Sequence, residues 1–395
     1  MSLFPDSLFN DARFYNKLIL TFFTADNCKI CDNIESNIEK IPVITKYILV
    51  KVNADEYPAY FVRLTRGVIP TLTILTPERE IASIIESTDL KFIESALRKV
   101  YEDYYVNKAL RTVKIQALEG ELVNNIDLQS MVYEVITSLL NGALADFRTI
   151  ELYNFYSTIY PEYKKGIKDL NPLDDIARYI IKGENINIDD NYAISVALKS
   201  MYFMTNEEKL LEFINEDGSV FRSYRKQMKG MLADESIVGS ALLDAYENTF
   251  DEKYLNKAFQ IYNYVKSNLE INNGFLDSPK IDVITLIPYI DPLANSELAI
   301  FLSRLYLITG DEKFKNDAMK ALKASLGVAG NNYRILARAS IAYIKLLYGI
   351  RGLERVKDDI RVEKVKEIMC EKEYKYQDLY GKCYKDLKEI EFTAF

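Results

Sequence analysis

The sequence contains no histidine and no tryptophan among its 395 residues. Without histidine, catalytic Ser-His and Cys-His pairs and histidine-ligated metal sites are excluded, so acid–base chemistry falls to Asp, Glu, Lys, Tyr or Cys. The absence of tryptophan removes the side chain best suited to stacking on sugars. The composition, which includes 29 tyrosines, is compatible with a thermophilic source.

Long apolar runs and clustered positive charge are also missing. The longest apolar runs, such as Leu18 to Phe23, are strand-sized and fall short of the ~18 residues of a membrane span. No basic region followed by an apolar stretch opens the sequence, so we expect no membrane partner and a cytoplasmic location. The net charge of −8, with basic and acidic residues interleaved, argues against a nucleic-acid partner.

The length suggests two or three domains at ~150 residues each. Apolar residues make up 49% of the chain, which is enough to bury a sizeable core. Strand and helix signals alternate up to about residue 106, and helical periodicity dominates from Asn107 onward. We therefore predict one domain over residues 1–106 and a second, with a C-terminal tail, over residues 107–395.

The first domain is predicted to follow the order strand, helix, strand, helix, strand, strand, helix. The strands are short apolar or alternating runs, and the helices show apolar residues at helical spacing. The predicted strands cover residues 18–23, 48–52, 71–75 and 80–85, and the helices follow Cys31, span Asp55 to Arg66, and begin after Asp89.

Two cysteines separated by two residues, Cys28-Lys29-Ile30-Cys31, follow the first predicted strand. A thiol at a helix N-terminus experiences the positive end of the helix dipole and free backbone N–H groups, and both favour the reactive thiolate. We interpret Cys28 as the nucleophile and Cys31 as the resolving thiol, and we expect Lys29 to lower the thiolate pKa further. Two other interpretations are half of a zinc site, for which Cys370 and Cys383 are too widely spaced to supply the second half, and a domain kept only for packing.

This order of elements, with the cysteines at the first strand-to-helix junction, resembles the thioredoxin fold. Thioredoxins carry a cis-proline that faces the dithiol, commonly within Ile-Pro-Thr, and Ile69-Pro70-Thr71 precedes the third strand here. The resemblance implies that Pro70 belongs to the catalytic site and that the backbone at Ile69 pairs with an extended substrate. The chain departs from thioredoxin at Phe22, where the buried Asp would stand, and at Asn27, where the Trp would stand.

The second domain is predicted to be a series of helical hairpins with an internal repeat. Helical spacing of apolar residues predicts helices over residues 127–141, 190–204, 234–248, 252–268, 294–309, 312–326 and 333–348. The segment Thr249–Ala258 returns as Thr309–Ala318, and a weaker copy covers residues 205–209. Each copy predicts a helix, a tight turn that opens on an acidic N-cap, and a second helix. Glycine-aromatic loops between the hairpins favour a closed toroid over an open solenoid.

Over residues 15–105 and 215–330 the chain resembles the spermatogenesis-associated protein 20-like (YyaL-like) family, which joins a thioredoxin-like domain to an α/α six-hairpin barrel. The family's barrel is related to those of N-acylglucosamine 2-epimerases and six-hairpin glycosidases. The segments that carry the resemblance are Val52–Pro58, Pro70–Pro77, Arg222–Arg225, Leu232–Asp234, Gly274–Ser278 and Pro292–Ser296.

The chain also departs from this family. The family motif Cys-His-Trp-Cys-His is replaced by Cys28-Lys29-Ile30-Cys31-Asp32, the chain is shorter, and the family's Pro-His-Phe-Glu-Lys-Met segment has no counterpart. The predicted fold is therefore an α/β thioredoxin-like N-terminal domain followed by an all-α helical-hairpin toroid of the (α/α)6-barrel type, either complete or with fewer hairpins.

Three functional hypotheses follow. The first is a thiol–disulfide oxidoreductase that acts on protein or small-molecule disulfides, needs no cofactor or metal, and uses the helical domain to select a substrate or partner. The second is a carbohydrate-binding or degenerate carbohydrate-active barrel with a sugar ligand. The third is a non-catalytic scaffold, which would tolerate Cys28→Ser.

The sequence offers several candidate residues for a carbohydrate site. Glycoside hydrolysis needs a pair of carboxylates, and the candidates at loops or helix starts are Asp234, Asp277 and Asp291. An Asp before a helix is, however, most often an N-cap. Tyr224 and Phe275 are candidates for sugar stacking, and the family resemblance adds Asn295.

Two further cysteines, Cys370 and Cys383, lie in the charged C-terminal segment. They are either a structural disulfide that ties down the tail or two reduced thiols.

Overall fold

The structure is a computed structural model that describes residues 2–145, 147–165, 210–223, 225–390 and 392. Residue contacts divide the chain into two compact units: unit 1 is Met1–Leu118 with Ser278–Tyr289, and unit 2 is Glu119–Asp277 with Ile290–Phe395. The predicted helix over 190–204 and the weaker repeat copy at 205–209 lie outside the described residues. Within the described part of the chain, no helix combines the length and the apolar character needed to cross a membrane.

Unit 1 contains a five-stranded sheet and four α-helices. The strands are β1 (Leu18–Thr24), β2 (Tyr47–Asn53), β3 (Thr71–Leu75), β4 (Glu80–Ile85) and β5 (Val113–Lys114), and the helices are α1 (Asp6–Phe14), α2 (Lys29–Ile38), α3 (Pro58–Leu64) and α4 (Leu90–Tyr101). The sheet order is β2-β1-β3-β4-β5, with β1 parallel to β2 and the other pairs antiparallel. The predicted order of strands and helices is confirmed, whereas α1 and β5 were not predicted.

Strand β1 lies between β2 and β3 and is buried on both faces. Leu20 and Phe22 belong to an apolar cluster that includes Ile34 of α2. On the opposite face Phe23 packs against Phe61 of α3, with ring centroids 5.8 Å apart. Because both faces are covered, β1 is a continuous apolar run instead of an alternating one.

The segment Ser278–Tyr289 belongs to unit 1 although it is distant in sequence. The Asp282 carboxylate organises this connection, since its Oδ2 accepts hydrogen bonds from Tyr60 Oη at 2.6 Å, Phe4 N at 3.1 Å and Ser2 Oγ at 3.1 Å. Its Oδ1 accepts the backbone N–H of Thr285 at 3.1 Å, which fixes the local turn. One buried carboxylate therefore joins the first residues of the chain, helix α3 and the returning segment.

Unit 2 is mainly helical. Its described α-helices are α5 (Leu128–Leu140), α6 (Phe147–Ile159), α7 (Leu232–Thr249), α8 (Glu252–Asn268), α9 (Pro292–Thr309), α10 (Glu312–Ala329) and α11 (Tyr333–Tyr348). Helices α7, α9 and α11 pack side by side, α8 and α10 pair with α7 and α9, and α5 and α6 pack on α11. Every helix predicted for the described part of this unit is confirmed, and α6 was not predicted.

The sequence repeat corresponds to two equivalent hairpin turns. Helices α7 and α9 end at left-handed residues, Phe250 (φ 52°) and Gly310 (φ 75°). Asp251 and Asp311 then cap α8 and α10, and each accepts a backbone N–H two residues later at 3.0 Å. The predicted tight turn with an acidic cap is confirmed at both copies.

Unit 2 also contains short strands. A hairpin consists of β6 (Glu270–Ile271) and β7 (Gly274–Phe275), and a C-terminal sheet consists of β8 (Ile350–Gly352), β9 (Val362–Lys364), β10 (Tyr376–Asp378) and β11 (Cys383–Tyr384), in the order β11-β10-β8-β9. Cys370 and Cys383 are joined by a disulfide with Cα atoms 6.0 Å apart. The C-terminal segment is therefore a folded sheet cross-linked around β10.

Candidate functional site

Cys28 and Cys31 form a disulfide at the start of α2. Their Cα atoms are 5.2 Å apart. Cys28 is the N-cap residue, and its Sγ accepts a hydrogen bond from the backbone N–H of Cys31 at 3.2 Å. Cys28 is half-buried, whereas Cys31 is 1% exposed. The two sulfurs therefore differ in access, which is the asymmetry that a nucleophile and a resolving thiol require.

The interior around the dithiol is apolar. Cys31 packs in the same cluster as Phe22 and Ile34, and both of these side chains are fully buried. Phe22 is the residue that the thioredoxin resemblance aligns with a buried Asp, and its side chain supplies no proton acceptor. On the outside, Lys29 is exposed and Ile30 is 56% exposed. The surface beside Cys28 is thus partly apolar and carries one cation.

The Ile69–Pro70 peptide bond is cis, as the thioredoxin resemblance implied. Pro70 is buried, and Ile69 is half-buried. Ile69 and Cys28 pack against the same apolar cluster. Two of the predicted site residues, Cys28 and Ile69, therefore contact the same apolar core.

Polar side chains hold the loop that leads into Cys28. Asn53 Nδ2 donates to Asp26 Oδ1 at 2.7 Å, and the backbone N–H of Asp26 donates to Asp55 Oδ2 at 2.8 Å. Asn27 adopts a left-handed backbone (φ 58°) directly before the cysteine. The segment after β2, one of those that carry the family resemblance, therefore fixes the approach to the dithiol.

In unit 2, the predicted carboxylates have different partners. Asp234 is the third residue of α7, is fully buried, and accepts hydrogen bonds from Arg222 Nη1 at 2.9 and 3.0 Å. Asp291 caps α9 by accepting the backbone N–H groups of Leu293 and Ala294 at 2.8 and 3.0 Å. The N-cap interpretation is therefore right for Asp291 and wrong for Asp234. Burial raises the pKa of Asp291 above its usual range, and nearby Asp277 adds to that rise.

The remaining carbohydrate candidates are buried or undescribed. Asn295 Nδ2 donates to Phe275 O at 2.9 Å and its Oδ1 accepts Phe275 N–H at 3.2 Å, so this amide secures β7. Asp277 is buried, and its carbonyl accepts Leu232 N–H at 2.9 Å. Tyr224 lies outside the described residues.

Unit 2 contains a cavity of about 580 Å³ that was not predicted from the sequence. Helices α6, α7, α9 and α11 and the segment from Arg355 to Glu363 form its walls. Ionised side chains dominate those walls; the charged lining includes Glu151, Asp244, Glu297, Arg304, Arg338, Lys345, Arg355 and Glu363.

Arg304 is the centre of the charged cluster. Its Nη2 donates to Asp244 Oδ1 and to Glu247 Oε1, both at 3.0 Å. Its Nε donates to both oxygens of Glu363 at 3.0 Å, and its Nη1 donates to Ser240 O at 2.8 Å. The Arg304 side chain is only 7% exposed, so the ion pairs are shielded from water.

Two more cations extend the cluster along α11. Arg338 forms a two-point pair with Glu297 at 2.7 and 2.8 Å and contacts Glu151 at 2.7 Å. Lys345 Nζ donates to Glu363 at 2.7 Å. Linked charged side chains therefore extend along the cavity wall from α6 to the C-terminal sheet.

Burial and neighbouring charges shift the pKa values of two carboxyl groups in the cluster, Glu247 and Glu363, in opposite directions. Burial raises the pKa of Glu247 well above its usual range, and neighbouring Glu363 adds to the rise. Burial acts in the same direction on Glu363, but Arg304 and Lys345 outweigh it and hold the pKa of that carboxyl well below its usual range. Glu247 therefore keeps its proton most readily, and Glu363 stays ionised.

No protein-family model matches the chain, and no curated protein matches it. Among solved structures, it is similar to a family 76 glycoside hydrolase from a bovine Bacteroides thetaiotaomicron strain, at 10% identity and a TM-score of 0.29, over 65% of this chain and 62% of that one. It is also similar to a family 76 α-mannanase from Bacteroides thetaiotaomicron, at 11% identity and a TM-score of 0.32, over 56% of this chain and 84% of that one. The chain thus spans about 62% of the first of these structures, and such distant likeness transfers neither a site nor a substrate.

Proposed function

We propose that unit 1 is a thioredoxin-like domain and that Cys28 and Cys31 exchange disulfides with protein or small-molecule substrates. The observation that carries the proposal is the half-buried Cys28 at the N-cap of α2, with Cys31 buried one turn further on. The helix N-terminus favours the thiolate form of Cys28, which is the nucleophile in exchange.

The exchange has two balanced steps. The Cys28 thiolate attacks one sulfur of the substrate disulfide, which forms a mixed disulfide and releases one substrate thiolate. Cys31 then attacks Cys28 Sγ, and its proton passes to the departing substrate sulfur, which leaves as the second substrate thiol as the Cys28–Cys31 disulfide forms. A thiol reductant restores the dithiol. Since residue 22 is Phe, we expect the second step to be slower than in a protein with a buried base.

The first prediction concerns the two cysteines separately. With reduced full-length protein and either oxidised glutathione or insulin as substrate, Cys28→Ser should lower the exchange rate by about 100-fold or more, because no accessible thiolate remains. Cys31→Ser should instead accumulate a mixed disulfide at Cys28, detectable by intact-mass measurement. The Cys370→Ser/Cys383→Ser double variant is the matched control and should retain the wild-type rate.

A redox titration of the Cys28–Cys31 pair can contradict the proposal. If Cys28 and Cys31 show no thiol–disulfide transition between about −320 and −120 mV, the range from reducing glutathione poises to the most oxidising exchange proteins, unit 1 is not an exchange catalyst. A Cys28→Ser variant that loses no function in the cell would instead support the scaffold hypothesis.

The second candidate function is a carbohydrate-active or carbohydrate-binding helical unit. The cavity inside unit 2 favours it, because carboxylates and guanidinium groups line a volume within the ~300–1,000 Å³ typical of ligand sites. A glycan array and a panel of aryl glycosides test it: we expect binding of at least one glycan class, and neither binding nor hydrolysis would contradict it.

A further inference from the structure

Two polar atoms in the cavity wall lack a hydrogen-bond partner among the described residues. They are Ser240 Oγ and Asp244 Oδ2, and both residues line the cavity. They lie four residues apart on α7, so they share one face of the helix. Asp244 is 2% exposed, and a carboxylate oxygen buried this deeply without a donor is costly. The pair therefore places a carboxylate oxygen and a hydroxyl, both without a hydrogen-bond partner among the described residues, in the wall of the cavity.

The charge around this position is close to balanced. Asp244 Oδ1 accepts from Arg304 at 3.0 Å and is also paired with Arg355. Among the carboxylates of the lining, Asp359 is paired with Arg361. The other charged groups of the lining are five cations, Arg304, Arg338, Lys345, Arg355 and Lys357, and five carboxylates, Glu151, Asp244, Glu297, Asp358 and Glu363. An ionic ligand would therefore meet no excess of opposite charge, whereas a neutral ligand with several hydroxyls meets both donors and acceptors.

The cavity lining also includes apolar side chains and charged side chains that are exposed to solvent. Ile237 and Ile300 line the cavity beside the polar groups, and they can contact the C–H faces of a ring. Arg355 and Glu151 have side chains 47% and 44% exposed, whereas Arg304 is 7% exposed. The charged lining thus includes both solvent-exposed and buried side chains.

We propose that this cavity binds a neutral polyhydroxyl ligand, a monosaccharide, disaccharide or sugar alcohol, with Ser240 Oγ and Asp244 Oδ2 as hydrogen-bonding partners of its hydroxyl groups. The proposal rests on the second candidate function, for which it names the ligand class and the site. It is independent of the dithiol.

Calorimetric titration of the oxidised full-length protein tests the site. The neutral probes are common hexoses, their disaccharides and sugar alcohols, and the ionic probes are putrescine and inorganic phosphate. For the best neutral probe, Ser240→Ala and Asp244→Asn should each raise Kd about tenfold or more. Ser236→Ala is the matched control: it lies one turn earlier on α7, its hydroxyl already donates to Leu232 O at 2.7 Å, and Kd should not change.

Each alternative outcome overturns a different statement. Sugar binding that is unaffected by Ser240→Ala leaves the carbohydrate function standing and overturns this site. Preferential binding of putrescine or phosphate overturns the neutral ligand class. No response to any sugar, in calorimetry and on the glycan array alike, overturns both the site and the carbohydrate function. If Asp244→Asn fails to fold, Ser240→Ala decides, because Ser240 makes no side-chain ion pair.

Discussion

Replacing Arg304 with methionine should lower the free energy of unfolding of unit 2 by about 3–5 kcal/mol. Methionine keeps much of the length of the side chain but removes the charge that pairs with Asp244, Glu247 and Glu363. These carboxylates are nearly inaccessible to water, so the variant leaves negative charge buried and uncompensated. Urea unfolding followed by the helical circular dichroism signal measures the effect, since unit 2 contains the longest helices.

The matched control is Lys315→Met on α10. Lys315 pairs with Glu312 at 3.2 Å, but their side chains are 39% and 62% exposed, so the change should stay within about 0.5 kcal/mol. If Arg304→Met were equally mild, the cluster would not be shielded from solvent in the way described.

Replacing Phe301 with alanine should also cost about 3–5 kcal/mol, through an empty space between α7 and α9. Phe301 is fully buried, and its ring lies so close to Gly239 of α7 that a Cβ there would be 2.7 Å from Cζ. The same urea unfolding experiment measures this effect. Tyr133→Ala on α5 is the control, because Tyr133 is 70% exposed and should change stability by no more than about 0.5 kcal/mol.

Gly239 of α7, which faces Phe301 of α9, allows the same packing to be tested by adding volume instead of removing it. A Gly→Ala change inside an exposed helix stabilises by about 1 kcal/mol, but Gly239→Ala should destabilise because the new Cβ would displace the fully buried Phe301 ring. A stabilised Gly239→Ala variant would contradict the close packing of α7 on α9.

Local signals were enough to predict most of the secondary structure. The repeat at Thr249 and Thr309 predicts its own turns, because a left-handed C-cap and an acidic N-cap are both encoded within a few residues. The dithiol was predictable for the same reason, since Cys28 and Cys31 are neighbours. Helix α6 and the C-terminal sheet were missed because short strands and weakly amphipathic helices leave little periodicity.

The charged cavity was not predicted, because its members come together from distant parts of the chain. One signal was present: Arg304 interrupts the apolar run Leu298–Leu307 of a helix that is buried on nearly all sides. An ionised residue in such a helix indicates a buried partner. Its partners, Asp244 and Glu363, lie about 60 residues away on either side, and no local pattern identifies them.

The return of Ser278–Tyr289 to unit 1 sets the order in which the protein can mature. During synthesis, residues 1–118 are made long before Asp282, so the hydrogen bonds from Phe4 N–H and Tyr60 Oη must wait for their acceptor. Completing the dithiol-bearing unit therefore requires that most of the helical unit has already left the ribosome. A fragment that ends at Leu118 would lack its final piece, and a single proteolytic cut could not release the dithiol unit intact.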